Sequence, residues 1–307
     1  MPNQKIFYFI GVTTGQSSIM QLFPRWMRVL GREEVVIQGI DHPLNHTAEA
    51  YRKTAVHIKT SPNVLGALVT SHKVNLLAAS RDLFDYLDPL AQVTQEVSCI
   101  AKDGSQLLGY AKDPITSAKA MGKIVGAGYF GRTGGEVLCL GAGGAAMATL
   151  LALIEQPNAA DRPAKFTAVD IDKNRLDHME AMAEQFESDV ELNCVLSQSA
   201  AQNDALLAQL PPHSLVINAT GMGKDRPGSP LTQTAVYPHN TIVWEFNYRG
   251  ERPFLHHARA QATERQLTVV DGWDYFLFGW SEVIGEVLDI EITAEIFEQL
   301  KQEAERP

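Results

Sequence analysis

The segment that most restricts the fold is Val137-Leu-Cys-Leu-Gly141-Ala-Gly143-Gly144-Ala-Ala146. A buried-type strand, 136–140, runs into a Gly-rich turn and then into an Ala/Leu-rich helical stretch, 145–155. Sterics set the pattern G-x-G-x-x-A. Gly141 permits the tight turn, Gly143 lets a pyrophosphate come up to the backbone, and Ala146 lets the helix pack close to the strand. The helix start, with Gly144 and Ala145, offers free N–H groups and the positive end of the helix dipole to phosphate. A Gly-rich turn of an ordinary α/β domain is the bland alternative; the strand before and the helix after favour dinucleotide binding.

The next strand gives an independent check, because it ends Ala168-Val169-Asp170-Ile171-Asp172. Asp170 follows Gly143 by 27 residues, against a usual spacing of about 20, and the insertion 156–163 accounts for the extra length. A carboxylate at that strand tip bonds the ribose hydroxyls of NAD and repels the 2'-phosphate of NADP, so NAD is expected over NADP. Asp172 reads instead as the N-cap of the following helix.

The rest of the chain suits a two-domain α/β protein. Its 307 residues correspond to about two domains. Strand-like runs at 5–12, 35–41 and 64–70 alternate with helix-like runs at 17–30, 47–59 and 74–84, which implies βαβ units and a largely parallel sheet. Two short strands flank Asp103-Gly104, a hairpin signal. Beyond the Gly-rich stretch 122–135 the alternation resumes, and 275–288 and 293–303 read as closing helices. The 26 basic and 36 acidic residues give a net charge of -10, which argues against a nucleic-acid partner. Cys99, Cys139 and Cys194 form no metal or disulfide pattern. The first apolar stretch is far short of a membrane span, and the start lacks a secretory pattern, so a cytoplasmic protein with no membrane partner and no bound metal is expected. The partner expected is a small-molecule substrate, and a homodimer is left open.

Five further segments carry a resemblance. Gly66-Ala-Leu-Val-Thr70-Ser-His-Lys73 resembles the G-x-N-V-T-x-P-x-K segment of the shikimate dehydrogenase family. Leu108-Gly109-Tyr110-Ala111-Lys112-Asp113 resembles its G-x-N-T-D, and Val216-Ile-Asn218-Ala-Thr220-Gly-Met222-Gly223 its I-N-A-T-x-x-G-M loop. The start, Gly11-Val-Thr-Thr-Gly-Gln-Ser17, is similar to its G-x-P-I-x-H-S, and Val270-Asp271-Gly272 to the D-G before its last helices. The resemblance implies an N-terminal α/β substrate domain, 1–118, completed by returning helices, 272–307. It implies a Rossmann-type domain at 119–271 and an active-site cleft between the two. It further implies hydride transfer between a nicotinamide ring and a hydroxyl-bearing carbon, with Lys73 and Asp113 as catalytic pair. An ammonium can protonate a forming alkoxide, and a carboxylate can orient it. Asn218, Thr220 and Met222 would lie on the nicotinamide half. Ser17, Ser18, Tyr248 and Tyr275 are the candidate substrate contacts. Taken alone, Lys73 reads as a solvated strand-end lysine and Asp113 as a helix cap before Pro114. His72 is the rival acid–base group, expected on the opposite face of an extended segment.

The departures from the family cluster on the substrate. Ala67 and Ala111 stand where it has asparagines, Val69 where it has a threonine, Ile19 where it has a second serine, and Gly279 where it has a glutamine. Each buried hydroxyl left without a partner costs roughly 1–3 kcal/mol, which argues for a substrate other than shikimate. Ala and Gly there are expected to leave room for a less hydroxylated or larger alicyclic hydroxy acid. The aromatic run 273–280 either lines that pocket or packs as an interior helix. The chain thus reads as an NAD-dependent oxidoreductase. The alternative is a dinucleotide- or metabolite-binding regulatory protein without turnover, and a third is another lysine-using Rossmann enzyme such as a folate-type dehydrogenase.

Overall fold

The computed structural model describes residues 4–306 except Asn45 and Asp225. From the amino end, β1 (Lys5–Gly11) leads to α1 (Ile19–Val29), β2 (Val35–Asp41), α2 (Ala48–Thr60), β3 (Val64–Val69), α3 (Lys73–Ser80), β4 (Tyr86–Leu87) and α4 (Pro89–Thr94). β5 (Cys99–Asp103) and β6 (Gln106–Tyr110) form the antiparallel hairpin that Asp103-Gly104 signals, with Gly104 in the left-handed region at φ 57°. There follow α5 (Asp113–Ile124), α6 (Tyr129–Thr133), β7 (Val137–Leu140), α7 (Gly144–Ile154), β8 (Lys165–Asp170), α8 (Lys173–Ala183) and β9 (Glu191–Leu196). The chain ends with α9 (Ala200–Leu207), β10 (Leu215–Asn218), β11 (Ile242–Glu245), α10 (Pro253–Arg265), β12 (Thr268–Val270), α11 (Trp273–Leu288) and α12 (Ala294–Glu305). No helix among the described residues is long and apolar enough to cross a membrane.

The chain divides into two units, Met1–Lys112 with Gly279–Pro307, and Asp113–Phe278, where the sequence reading draws the borders at 118/119 and 271/272. Among the described residues each unit holds a six-stranded sheet. In the first the order is β2-β1-β3-β5-β6-β4. β1 runs parallel to β2 and β3, whereas β5 is antiparallel to both β3 and β6. Two reversals therefore return β6 to the direction of β3, and β1, β2, β3 and β6 all end at one edge. In the second unit the order is β12-β11-β10-β7-β8-β9, with every pairing parallel. This is the doubly wound dinucleotide-binding order, and the winding reverses between β7 and β10.

Packing explains the composition of the elements. α7 buries every side chain from Ala146 to Ile154, because the sheet covers one side and α5 the other; such a helix is apolar all round. In the first unit, Tyr8, Ile10, Tyr51, Ile58, Leu76 and Ile100 belong to one core, and the Trp26 indole donates to the Leu300 carbonyl at 2.9 Å to fix α12 against α1. Some elements escape the sequence reading. α9 buries Leu207 alone among its residues and α10 only Phe254, Leu255 and Ala258, so neither shows a strong apolar stripe. The Gly-rich stretch contains α6, bounded by Gly128 and Gly134 in left-handed conformations. The expected helix at 74–84 ends at Ser80 and finishes as a 3-10 turn.

Gly66 illustrates how tightly β3 and β5 approach: a Cβ there would collide with the Ile100 carbonyl oxygen and touch Val287. Gly66→Ala should lower the unfolding free energy by about 1–3 kcal/mol, the usual effect of overpacking, as read from the urea midpoint. Gly122→Ala, a helical position with open space around it, should instead stabilise by about 0.5–1 kcal/mol.

Candidate functional site

The Gly-rich turn lies at the carboxyl end of β7, beside the reversal of the winding. Gly141 has φ 107°, and a Cβ on it would stand 2.8 Å from the Ala219 carbonyl group. The turn after β7 and the loop after β10 thus touch backbone to backbone. Gly143, the N-cap of α7, is different: a Cβ there would meet nothing within 4 Å. Gly144 and Ala145 form the first turn of α7, so the N–H groups of that turn have no intrahelical partners.

Asp170 ends β8 and is buried. Its Oδ2 accepts from the Ala142 N–H at 2.8 Å and its Oδ1 from the Asp172 N–H at 3.0 Å, which ties the carboxylate to the glycine turn. Each oxygen keeps further acceptor capacity. Asp172 caps α8 through the Asn174 N–H, as its spacing suggests. Arg175 approaches both carboxylates, at 3.7 Å from Asp170 and 3.8 Å from Asp172. A cavity of about 420 Å³ opens here, lined among others by Gly141, Asp170, Ile171, Ser197, Thr220 and Met222. Of the cofactor candidates, Gly141, Asp170, Thr220 and Met222 line this one space inside the second unit, whereas Gly143, Gly144, Ala145 and Asn218 are not part of its lining.

The catalytic candidates both follow strands that end at the same edge of the first sheet. Lys73 is the first residue of α3, just past β3; its N–H donates to the Thr70 carbonyl at 3.3 Å. Asp113 is the first residue of α5, just past β6, where the Lys112 N–H donates to Ser98 Oγ at 2.7 Å and the Ala111 N–H to Asp88 Oδ1 at 3.2 Å. Lys112 carries a second charge beside Asp113, but its ammonium pairs with Glu286 at 2.5 Å. Ser17 and Ser18 follow β1 at the same edge, Ser17 buried after a 3-10 turn and Ser18 at the N-cap position of α1.

The space expected at Ala67 and Ala111 is not there. Both are 0 % exposed and belong to the core of the first unit, so their methyl groups face packed side chains. The aromatic run divides: Tyr275 stacks on Phe246 at 4.8 Å, and Tyr248 lies 4.2 Å from Phe276 and 5.8 Å from Trp273, all in the second unit, whereas Trp280 packs on Phe9 of β1 at 4.9 Å in the first. Tyr248 and Tyr275 thus join the loop after β11, while Ser17 and Ser18 belong to the first unit.

Two groups of residues go beyond the sequence reading, which names His72 but not its neighbours. One is the buried carboxylate Glu245, at the end of β11. The other is a histidine group beside Lys73. His72 does not lie on an extended segment; it is the N-cap of α3, with its ring buried and Nδ1 2.9 Å from the Tyr51 hydroxyl. His42 lies 5.8 Å from it, ring to ring, and pairs with Thr54 at 2.9 Å. Histidines scattered at 42, 46 and 72 form no local spacing that a sequence could reveal. Among the described residues no group of His, Cys, Asp and Glu is placed to hold a metal. Burial pushes the pKa of both His42 and His72 down, and neighbouring imidazoles push the same way.

A parallel sheet wound in this order, with a glycine turn and a carboxylate around a cavity at the switch point, defines a dinucleotide-binding Rossmann unit. Known proteins carry the same combination of units. No protein-family profile matches the sequence. The shikimate dehydrogenase (NADP(+)) of Lactococcus lactis is 27% identical over 219 residues, 69% of this chain and 73% of that protein. That of Streptococcus pneumoniae is 29% identical over 180 residues, 57% of this chain and 59% of that protein, so this chain spans little more than half of it. The solved quinate dehydrogenase of Corynebacterium glutamicum, in complex with NAD, superimposes with a TM-score of 0.72 over 97% of this chain and 99% of that one, at 17% identity, and so shares its fold. In fold and in curated relatives the chain is shikimate/quinate dehydrogenase-like.

Three outcomes follow from this geometry. Gly143→Ala should leave the urea midpoint unchanged and abolish measurable NADH binding, because the methyl fills space that a pyrophosphate needs. Gly141→Ala should lower stability itself. For the histidines, the folded state holds the neutral rings while the unfolded chain binds protons below the ordinary value of 6.5. Stability should therefore be lost as pH falls below 6.5, and His72→Asn should flatten that loss in denaturation curves between pH 7 and 5, a window set by these downward shifts.

Proposed function

We propose that the protein is an NAD-dependent oxidoreductase acting on a hydroxyl-bearing carbon of a small alicyclic hydroxy acid other than shikimate. The observation that carries the reading is the cavity at the switch point, where Gly141, Asp170 and Thr220 converge. The residues fit a dinucleotide: Gly143 leaves the phosphate approach open, and Asp170 keeps acceptor capacity for two ribose hydroxyls. Bound there, a nicotinamide supplies the hydride acceptor or donor.

The remaining steps belong to the chain. Lys73 donates a proton to the substrate oxygen as a ketone is reduced, and takes one from the hydroxyl in the reverse direction. Asp113 accepts a hydrogen bond from that ammonium and from the same hydroxyl, which holds the oxygen in place. Ala67 and Ala111 are turned into the core of the first unit, so they leave no added room for a larger substrate and do not read its hydroxyls. NAD is favoured by charge. A 2'-phosphate would face the carboxylate of Asp170, with Asp172 beside it, while Arg175, the guanidinium at this rim, is already shared between the two at 3.7 and 3.8 Å. The relatives from Lactococcus and Streptococcus are named for NADP(+), so the cofactor is a point on which this reading sets the chain apart from them.

Fluorescence titration with NADH and NADPH tests the cofactor, and a panel of cyclic hydroxy acids with NAD tests the reaction. NADH should bind at least about tenfold more tightly than NADPH. Lys73→Ala should lower kcat by about 10²–10⁴ with KM little changed. Oxidation by the unaltered protein should accelerate with rising pH, as expected if Lys73 must be neutral to take the proton. Tighter NADPH binding would overturn the cofactor choice. NADH binding without turnover of any hydroxy acid would turn the reading toward a regulatory protein.

A further inference from the structure

We propose that Glu245 is a positioning residue for the nicotinamide half of the dinucleotide, acting through Asn218 on the Thr220–Met222 wall of the cavity. The inference rests on the dinucleotide reading above. Asn218 and Glu245 end adjacent parallel strands and stand opposite each other in register. Both side chains are 0 % exposed. Glu245 Oε2 accepts from Asn218 Nδ2 at 2.8 Å, while Oε1 accepts from the Asn247 N–H at 2.8 Å and from Asn247 Nδ2 at 2.7 Å. The Asn218 amide cannot turn over, because its Oδ1 accepts from the Thr220 N–H at 3.2 Å and from Thr220 Oγ1 at 2.7 Å. Thr220 Oγ1 in turn accepts from the Met222 N–H at 3.1 Å. Both asparagine amides also donate to the Met222 carbonyl, at 3.3 Å from Asn218 and 3.0 Å from Asn247.

The polarity of this chain runs in one direction. An acceptor at 245 dictates which way Asn218 faces. That orientation makes Asn218 an acceptor for Thr220, and Thr220 an acceptor for Met222. Thr220 and Met222 line the cavity, and the Ala219–Thr220 peptide lies against Gly141. The charged and titratable groups near the carboxylate are Arg252, whose charge favours the ionised form, and Tyr237, whose own ionisation Glu245 opposes. Burial pushes the Glu245 carboxyl up to about 7, and the hydrogen bonds from Asn247 and Asn218 oppose that rise. A neutral side chain that merely filled the space would lack this set of acceptors. An amide at 245 presents N–H to Asn218 Nδ2, donor against donor.

The experiment compares two probes on the full chain. NADH reports the whole dinucleotide, and AMP reports the part of the cavity beside Asp170 alone. In Glu245→Gln, NADH affinity should fall by about tenfold or more, the scale of one buried donor left unsatisfied, while AMP affinity stays within about twofold. Should that variant fail to fold, Glu245→Asp keeps the charge, withdraws it from Asn218, and carries the same expectation. Equal NADH affinity in variant and parent would overturn the proposal. So would a parallel loss of NADH and AMP, since that marks a general structural role. An unaltered protein that binds neither probe would instead overturn the dinucleotide reading itself.

Discussion

The close approach of two peptide segments at the switch point governs the second unit. Gly141 meets the Ala219–Thr220 peptide at a separation that no side chain at 141 would permit. That approach lets β7 and β10 end together and brings their two loops to a common rim. Asp170 joins the rim from β8 by accepting from the Ala142 N–H. Phosphate turn, acidic strand tip and far wall are therefore one hydrogen-bonded structure. Substituents that part Gly141 from the Ala219 peptide would move all three.

The first unit solves a different problem. It must deliver polar side chains to one sheet edge while keeping its core apolar, and strand direction does this. The chain reverses between β3 and β5 and again in the β5–β6 hairpin, so Asp113 leaves β6 at the edge from which Lys73 leaves β3. Local charges there are already matched. Lys112 is engaged by Glu286, and Asp88 is spent on the backbone of Ala91 and Ala111. Burial raises the pKa of Asp88, and those backbone donors hold it back.

Much of this is legible in the sequence because it depends on local rules. The glycine pattern, the acidic tip at Asp170, the Asp172 cap and the Asp103-Gly104 hairpin each require particular residues at fixed offsets. Residues whose meaning comes from distant partners are not legible. Glu245 gains its role from Asn218, 27 positions away, and His72 from Tyr51, 21 positions away. Ala67 and Ala111 mark the other limit. A motif alignment places them at a ligand, whereas strand alternation turns both into the core. Pattern matching along a chain does not register which way a side chain points, and one residue of slip reverses it.

The fixing of α12 to α1 has a consequence for synthesis. The second unit is a single stretch of chain, so all of its sheet has been made once translation passes β12. The first unit needs α12 against α1, where the Trp26 indole donates to the Leu300 carbonyl 274 positions away. Its amino-terminal portion must wait, with part of its apolar surface uncovered, until α12 has left the ribosome. Domains generally fold as units during synthesis, the earlier-made first. Here the part made first is the part completed last, and its nascent β1 and α1 are where a chaperone would have most to protect.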